Sequence, residues 1–525
     1  MPLLARSLAH LLRQQAECIG ARDLLRFGDH RMTFADVDAR TNQLATVLMN
    51  AGIAPGDRVA VMLPNGFEFP VAWLAIMKAR AIMVPINVQY RAHDLAYALN
   101  DSGATLLLAA PEYVPAVRQI ADHCPALAWV QMVHAGDAVS PDASPFAAHL
   151  HAQPTAFDLT EVSPRDVVNI QYTSGTTGEP KGCMLSNEYW VRLSERSAKF
   201  SYTTAEDVAL TAQPFYYMDP QWNVGMCLVA GCPLVILPRF SATTFWRSVK
   251  DSGATFFYVL GTMPVFLLKQ PPDPAIERGH RVRFVACSGI VPQLHRAFEE
   301  RWGVPWREAF GMTETGVDLA VPLEDTACVG SGAVGRPIEG KEAKVVDESG
   351  RTLPDGEAGE LCVRGTGLML GYWNKPQATA ERMREGWLHT GDLAYRDGQG
   401  YYHLVGRLKD MIRRSGENIS AAEVEGVLAQ HPAVRAAAVV PVPDELRGEE
   451  VKAYIQLQPE YAATEPLEIV DFVRRHLAQF KVPRFVEFVD DFPRTPSERI
   501  AKHVLVAAKP NLRTGSFDTV AGTWQ

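Results

Sequence analysis

A chain of 525 residues, 47% hydrophobic and 21% charged, has an ordinary globular composition and exceeds what one hydrophobic core supports. Its formal charge of −9 provides no general affinity for nucleic acid or an anionic membrane, so any polyanion must be held at a local site. The eight cysteines (18, 124, 183, 227, 232, 287, 328 and 362) include no C-x-x-C pair. They signal neither a zinc site nor a thioredoxin-like site, and fit buried thiols in a reducing compartment.

The chain opens M-P-L-L-A-R-S-L-A-H, where Arg6 and His10 interrupt the apolar run. That pattern predicts an amphipathic helix, not a signal peptide. No uncharged apolar stretch approaches the roughly 20 residues needed to span a bilayer, and the cytoplasm is the expected location. From 30 to 125, apolar runs at 58–63, 81–86 and 104–109 alternate with helical patterns at 67–79 and 92–99, which predicts βαβ units and a mostly parallel sheet. The alternation resumes over 233–309. Between 333 and 375 strands shorten and Gly and Pro become frequent, predicting a small antiparallel sheet or distorted barrel. After Gly406 a compact α+β segment is expected, with helices at 421–429 and 467–477 and strands at 436–440 and 452–457. The polar residues from about 510 read as a loose tail. The fold class is therefore α/β: a large N-terminal domain of αβα layers plus a small distorted β-barrel (1–406), followed by a small mobile α+β C-terminal domain (407–525).

The most informative stretch is Y-T-S-G-T-T-G-E-P-K-G, from Tyr172 to Gly182, directly behind the apolar run 167–170. Six consecutive positions, Thr173, Ser174, Gly175, Thr176, Thr177 and Gly178, are Gly, Ser or Thr. Glycines permit positive φ, and hydroxyls and exposed N–H groups can surround phosphate oxygens. Lys181 adds a positive charge. The stretch is not a Walker A loop, because G-x-x-x-x-G-K-[ST] cannot be placed on it.

This segment resembles the phosphate loop of the adenylate-forming superfamily of acyl-CoA synthetases, luciferases and nonribosomal peptide adenylation domains. The resemblance continues through F-G-M-T-E-T (310–315), W-L-H-T-G-D-L around Asp392, G-R-L-K (406–409) and S-G-E-N-I (415–419), in the family's order and spacing over nearly the whole chain. It implies that Thr173 to Gly178 and Lys181 hold the β- and γ-phosphates of ATP. It implies that Phe310 to Glu314 form the adenine and α-phosphate loop, that Phe310 flanks adenine with Gly311 and Met312 among the ATP-binding residues, that Thr313 bonds the α-phosphate and that Glu314 helps hold Mg²⁺, a role suited to a hard carboxylate oxygen. Ser288 and Gly289 would face adenine from the other side, and Ile290 would wall the acyl pocket. Asp392 and Arg407 would hold the ribose, Lys409 would be the hinge of the C-terminal domain, and Ser415 and Gly416 would line the path of coenzyme A.

One motif departs from the family. Where P-x-T-x-x-G-K-I is usual, this chain has P-R-T-P-S-E-R-I, with Arg499 in place of the lysine and Glu498 in place of the glycine. That lysine bridges the substrate carboxylate and the α-phosphate. Two like charges about 4 Å apart repel by roughly 4 kcal/mol at an effective dielectric near 20, so a cation is needed there. Arg499 keeps the charge with a bulkier, planar group. Lys502, three residues on, is the rival.

The acyl pocket is expected from 215–225 and 259–263, with Tyr216, Tyr217, Asp219, Trp222, Gly261 and Ile290 as candidates. The segment 240–246 and the Asp219–Gln221 spacing look most like the carnitine-CoA ligase branch. Tyr216, Tyr217 and Trp222 beside Asp219 could form an aromatic box for an onium group; core packing would use the same residues. The expected activity is an AMP-forming acid–CoA ligase acting on a short or medium carboxylic acid, as a monomer or homodimer without nucleic-acid or membrane partners. The alternatives are an enzyme loading a carrier-protein thiol and a weakly catalytic acyl-AMP binding protein.

Overall fold

The near-continuous apolar runs of the N-terminal third form strands buried on both faces, as parallel sheets require. The computed structural model describes residues 4–125, 127–131, 153–173, 180–260, 263–415, 417–494 and 500–525, with backbone alone at 128–131, 409, 417 and 418. A six-stranded sheet runs in the order Ala128–Gln131, Leu106–Ala109, Arg58–Met62, Ile82–Pro85, Val167–Thr173, Lys181–Ser186. All its pairs are parallel except the last, where Val167–Thr173 turns back antiparallel onto Lys181–Ser186. The predicted helices appear as Glu68–Lys78 and Ala92–Ser102, the second ended by Gly103 at φ 63°.

A second sheet carries the pattern of 233–309. Its parallel strands Phe256–Leu260, Phe284–Ser288 and Trp306–Met312 lie side by side, and Trp306–Met312 pairs antiparallel with Gly316–Ala320. Phe245, Trp246, Phe257, Phe298, Trp302 and Trp306 pack into one buried aromatic core behind these strands. The helices Asn187–Phe200 and Met218–Ala230 pack closely: a Cβ on Gly225 would stand 2.0 Å from the Ser194 hydroxyl. Ser186 caps the first of these helices by accepting the Tyr189 N–H. The N-terminal amphipathic helix is present as Leu8–Ile19, capped by Ser7, with Leu8, Ala9, Leu11 and Leu12 buried. Among the described residues no helix is long and apolar enough to cross a membrane.

The chain divides into two compact units, and the division differs from the expected boundary at 406/407. The short strands between 344 and 362 and the chain from 389 onward group with the C-terminal residues, while 363–388 remain with the N-terminal unit. In the second unit, Gly448–Leu457 is the central strand, paired antiparallel with Val434–Asp444 and parallel with Phe485–Phe488. The helices Ala421–Leu428 and Pro466–His476 bury Val424, Ile469, Val470 and Val473 against it.

The tail from 510 is not loose. Phe517–Asp518 pairs with Phe485–Phe488, and Thr523–Trp524 pairs back on it. Ser516 and Asp518 are buried, and Asp518 accepts the N–H groups of Val520 and Ala521 while facing Arg484. The expectation failed because these polar side chains satisfy a turn and an ion pair, so polarity here marks a hairpin at the sheet edge and not solvation.

Candidate active site

Of the residues expected to hold the phosphates, Thr173 and Lys181 are described, and they face each other where Val167–Thr173 pairs antiparallel with Lys181–Ser186. Ser174, Gly175, Thr176, Thr177 and Gly178 lie outside the described residues. Lys181 Nζ stands 5.4 Å from the centre of the Tyr372 ring, and the Tyr372 hydroxyl donates to Glu314 Oε1 at 2.8 Å. Glu314 is buried, not an exposed loop acid, and its carbonyl accepts the Met369 N–H at 2.8 Å. Tyr189 donates its hydroxyl to the Thr313 carbonyl at 2.9 Å. Lys181, more than 130 positions before the adjacent Thr313 and Glu314, is thus tied to one framework with them by two tyrosines that no motif pointed to. Behind them Lys341 donates to the Thr315 carbonyl at 2.6 Å and pairs with Asp318 at 3.0 Å, both side chains buried.

The strand Trp306–Met312 brings Phe310, Gly311 and Met312 to the same edge. Gly311 is obligatory by space: a Cβ there would lie 2.0 Å from the Gly316 carbonyl oxygen. The loop 288–290 is held by Glu308, whose carboxylate accepts the Gly289 N–H at 2.6 Å and the Ile290 N–H at 2.7 Å. Burial pushes the Glu308 carboxyl up to about 8, against the opposing pull of those two donors. Sequence could have flagged Glu308, since an acid inside the apolar strand W-R-E-A-F needs a buried partner.

A cavity of about 60 Å³ opens beside this edge. Asp219, Trp222, Tyr258, Ser288, Gly311 and Met312 are among its walls. Trp222 and Tyr258 meet edge to face at 5.3 Å, and Tyr258 donates to the Ser288 hydroxyl at 2.9 Å. Burial, then the Asp219 charge, drives the Tyr258 phenol well up, so it stays a neutral donor. Of the residues expected in an aromatic box, Trp222 and Asp219 are among the cavity walls. Tyr216 and Tyr217 do not line this cavity; they pack on each other at 4.6 Å, and Tyr258, unmarked by any motif, supplies the second ring. Ile290 belongs to the neighbouring buried core, and Gly261 lies outside the described residues.

The second unit holds the remaining candidates. Asp392 lies opposite Arg407 on paired strands, with carboxylate and guanidinium 2.6 Å apart. Ser415 occupies the turn between Met411–Arg414 and Glu417–Ser420, with φ 53° and its N–H donated to the Arg447 carbonyl. Lys409 lies in the short turn Leu408–Asp410, its side chain outside the described set, as are Gly416 and Arg499. Lys502 begins the helix Lys502–Ala507, and its ammonium reaches Glu425 at 2.8 Å and Asp410 at 3.8 Å. Burial raises the Glu425 carboxyl and Lys502 partly offsets that rise.

A parallel βαβ architecture with a buried Glu314 beside Lys181 and Tyr372 agrees with the fold expected of an adenylate-forming enzyme. Residues 12–373 match the AMP-binding enzyme family and residues 423–499 match the AMP-binding enzyme C-terminal domain. The chain is 34% identical over 481 residues to a crotonobetaine/carnitine–CoA ligase of Citrobacter koseri, covering 90% of this chain and 92% of that one. It is 32% identical over 504 residues to a probable CoA ligase, CCL9, of Humulus lupulus, with 94% and 95% covered. Among solved structures, the anthranilate CoA ligase AuaEII in complex with anthranoyl-AMP superposes with a TM-score of 0.87 at 26% identity, covering 97% of this chain and 98% of that one. ATP-bound MatB from Rhodopseudomonas palustris gives 0.85 at 28% identity, with 95% and 98% covered. The chain belongs to the AMP-binding enzyme family. Within that family it is an acid–thiol ligase of the AMP-forming acyl-CoA synthetase type.

Proposed function

We propose that this ligase activates a short or medium carboxylic acid bearing an onium group as its acyl-AMP and passes the acyl group to coenzyme A. The observation that carries the substrate reading is the small cavity walled by Trp222, Tyr258 and Asp219. Two aromatic faces and one carboxylate suit a quaternary ammonium, and so limited a space suits a short acid. The similarity to a crotonobetaine/carnitine–CoA ligase points the same way.

In this reading Lys181 neutralises the β- and γ-phosphates together with the loop 173–178, and Thr313 donates to the α-phosphate. Glu314 would hold Mg²⁺. Its burial and its hydrogen bond from Tyr372 present a fixed oxygen donor, which fits a hard cation. The ion supplies charge neutralisation when bound. Ser288, Gly289 and Phe310 to Met312 take the adenine, and Asp392 with Arg407 the ribose hydroxyls. Lys409 serves as hinge, and Ser415 and Gly416 admit the thiol. Positioning and charge stabilisation provide most of the rate.

With its acid, ATP, Mg²⁺ and coenzyme A, the protein is expected to release AMP and pyrophosphate. ADP as the nucleotide product would contradict the proposal, and turnover with a carrier protein but not with coenzyme A would reassign the acceptor. A betaine-type acid should outperform its uncharged isostere in kcat/KM by about 2 kcal/mol, roughly thirtyfold. Asp219→Asn should remove most of that preference. Equal use of the two acids by the unaltered protein would return Asp219, Trp222 and Tyr258 to packing.

A further inference from the structure

Glu360 and Cys362 lie two residues apart on the strand Gly359–Gly365, so their side chains share one face. His389 joins them from the neighbouring strand Trp387–Arg396. A carboxylate oxygen of Glu360, the Cys362 Sγ and a ring nitrogen of His389 all lie within 4.8 Å of one another. His389 Nδ1 is 2.7 Å from Glu360 Oε2 and 3.3 Å from Cys362 Sγ. Cys362 is wholly buried, whereas the side chains of Glu360 and His389 keep 17% and 12% exposure, leaving an approach from their side.

We propose that Glu360, Cys362 and His389 form a zinc-binding site separate from the nucleotide and acyl groups. A thiolate, an imidazole and a carboxylate converging from two hydrogen-bonded strands match the donor set of zinc, while the sulfur and nitrogen disfavour magnesium. Tetrahedral zinc, with Zn–S about 2.3 Å and Zn–N about 2.05 Å, places sulfur and nitrogen about 3.6 Å apart. The observed 3.3 Å is close to that, and the strands need shift little. The Glu360–His389 contact must open by roughly 0.6 Å to admit the ion, which replaces their hydrogen bond. Metal entry releases the thiol proton and leaves the imidazole proton on Nε2. Water completes the fourth position. The other Glu360 oxygen accepts the Gly391 N–H at 3.0 Å, next to Asp392, so zinc would draw on the carboxylate that fixes the 390–392 segment.

The site is tested on the full-length, metal-stripped protein by equilibrium dialysis with zinc and by Co²⁺ absorption. One equivalent of zinc, with a thiolate-to-cobalt charge-transfer band, is expected in the unaltered chain and in Cys18→Ser, which lacks the exposed thiol. Cys362→Ser should lose both the equivalent and the band. Glu360→Gln and His389→Gln should lose the equivalent, and they carry the test if a serine at the buried position prevents folding. Absence of uptake by the unaltered protein, or uptake undiminished in all three variants, overturns the site. Because binding is read directly, this result is independent of which acid the enzyme uses.

Discussion

Arg499→Ala is expected to slow acyl-AMP formation on the order of a hundredfold, about 3 kcal/mol, while sparing thioester formation from synthetic acyl-AMP. The transition state concentrates negative charge between the attacking carboxylate and the α-phosphate. A guanidinium can bridge both through its two parallel donors, and it remains protonated at any working pH. Lys502 is already engaged with Glu425 and Asp410 in its own unit. Lys502→Ala should therefore adenylate at close to the normal rate and lose stability instead. Glu425 and Lys502 retain 22% and 21% side-chain exposure, so the loss is about 1–3 kcal/mol, below that of a fully buried pair. The sign follows from Glu425, whose folded-state carboxyl is already raised and rises further without the ammonium. A group raised on folding favours the folded state at low pH and loses that contribution as pH climbs through the folded value. Lys502→Ala should then show its largest destabilisation at neutral and higher pH and recover toward the acid side. Thermal melts across pH, beside the two half-reaction assays, decide it. A Lys502→Ala protein that melts normally and fails to adenylate would exchange the two roles.

Gly416→Leu is expected to block thioester formation by a hundredfold or more while leaving acyl-AMP formation largely intact. On the proposed path the thiol passes close to the backbone at that position, and a branched side chain there would obstruct it. The neighbouring Ser415 holds a left-handed conformation at φ 53°. Pyrophosphate release without coenzyme A measures the first half-reaction, and acyl-CoA formation from supplied acyl-AMP measures the second. Equal loss of both would remove Ser415 and Gly416 from the thiol path.

The sequence by itself determined what depends on local order. The strands at 58–63, 81–86 and 104–109 were legible because a strand buried on both faces must be apolar throughout. The order of five motifs determined the family, since the loop 173–178, the 310–315 segment and Asp392 each carry their chemistry in adjacent residues. Tertiary structure decided what depends on residues far apart in the chain. Tyr372 joins Glu314 and Lys181 across 58 and 191 positions by a hydroxyl and a ring face, and nothing in G-Y-W announces it. Tyr258, not marked by any motif, meets Trp222 at the cavity wall, because the ring that reaches a cavity is set by which face of a strand or helix turns inward. The polar residues after 510 became a hairpin at the sheet edge once Arg484 supplied a partner for Asp518. Lys502, the rival that the motif register disfavours, is engaged in the fold by the partly buried Glu425, whose carboxylate also accepts the Val439 N–H.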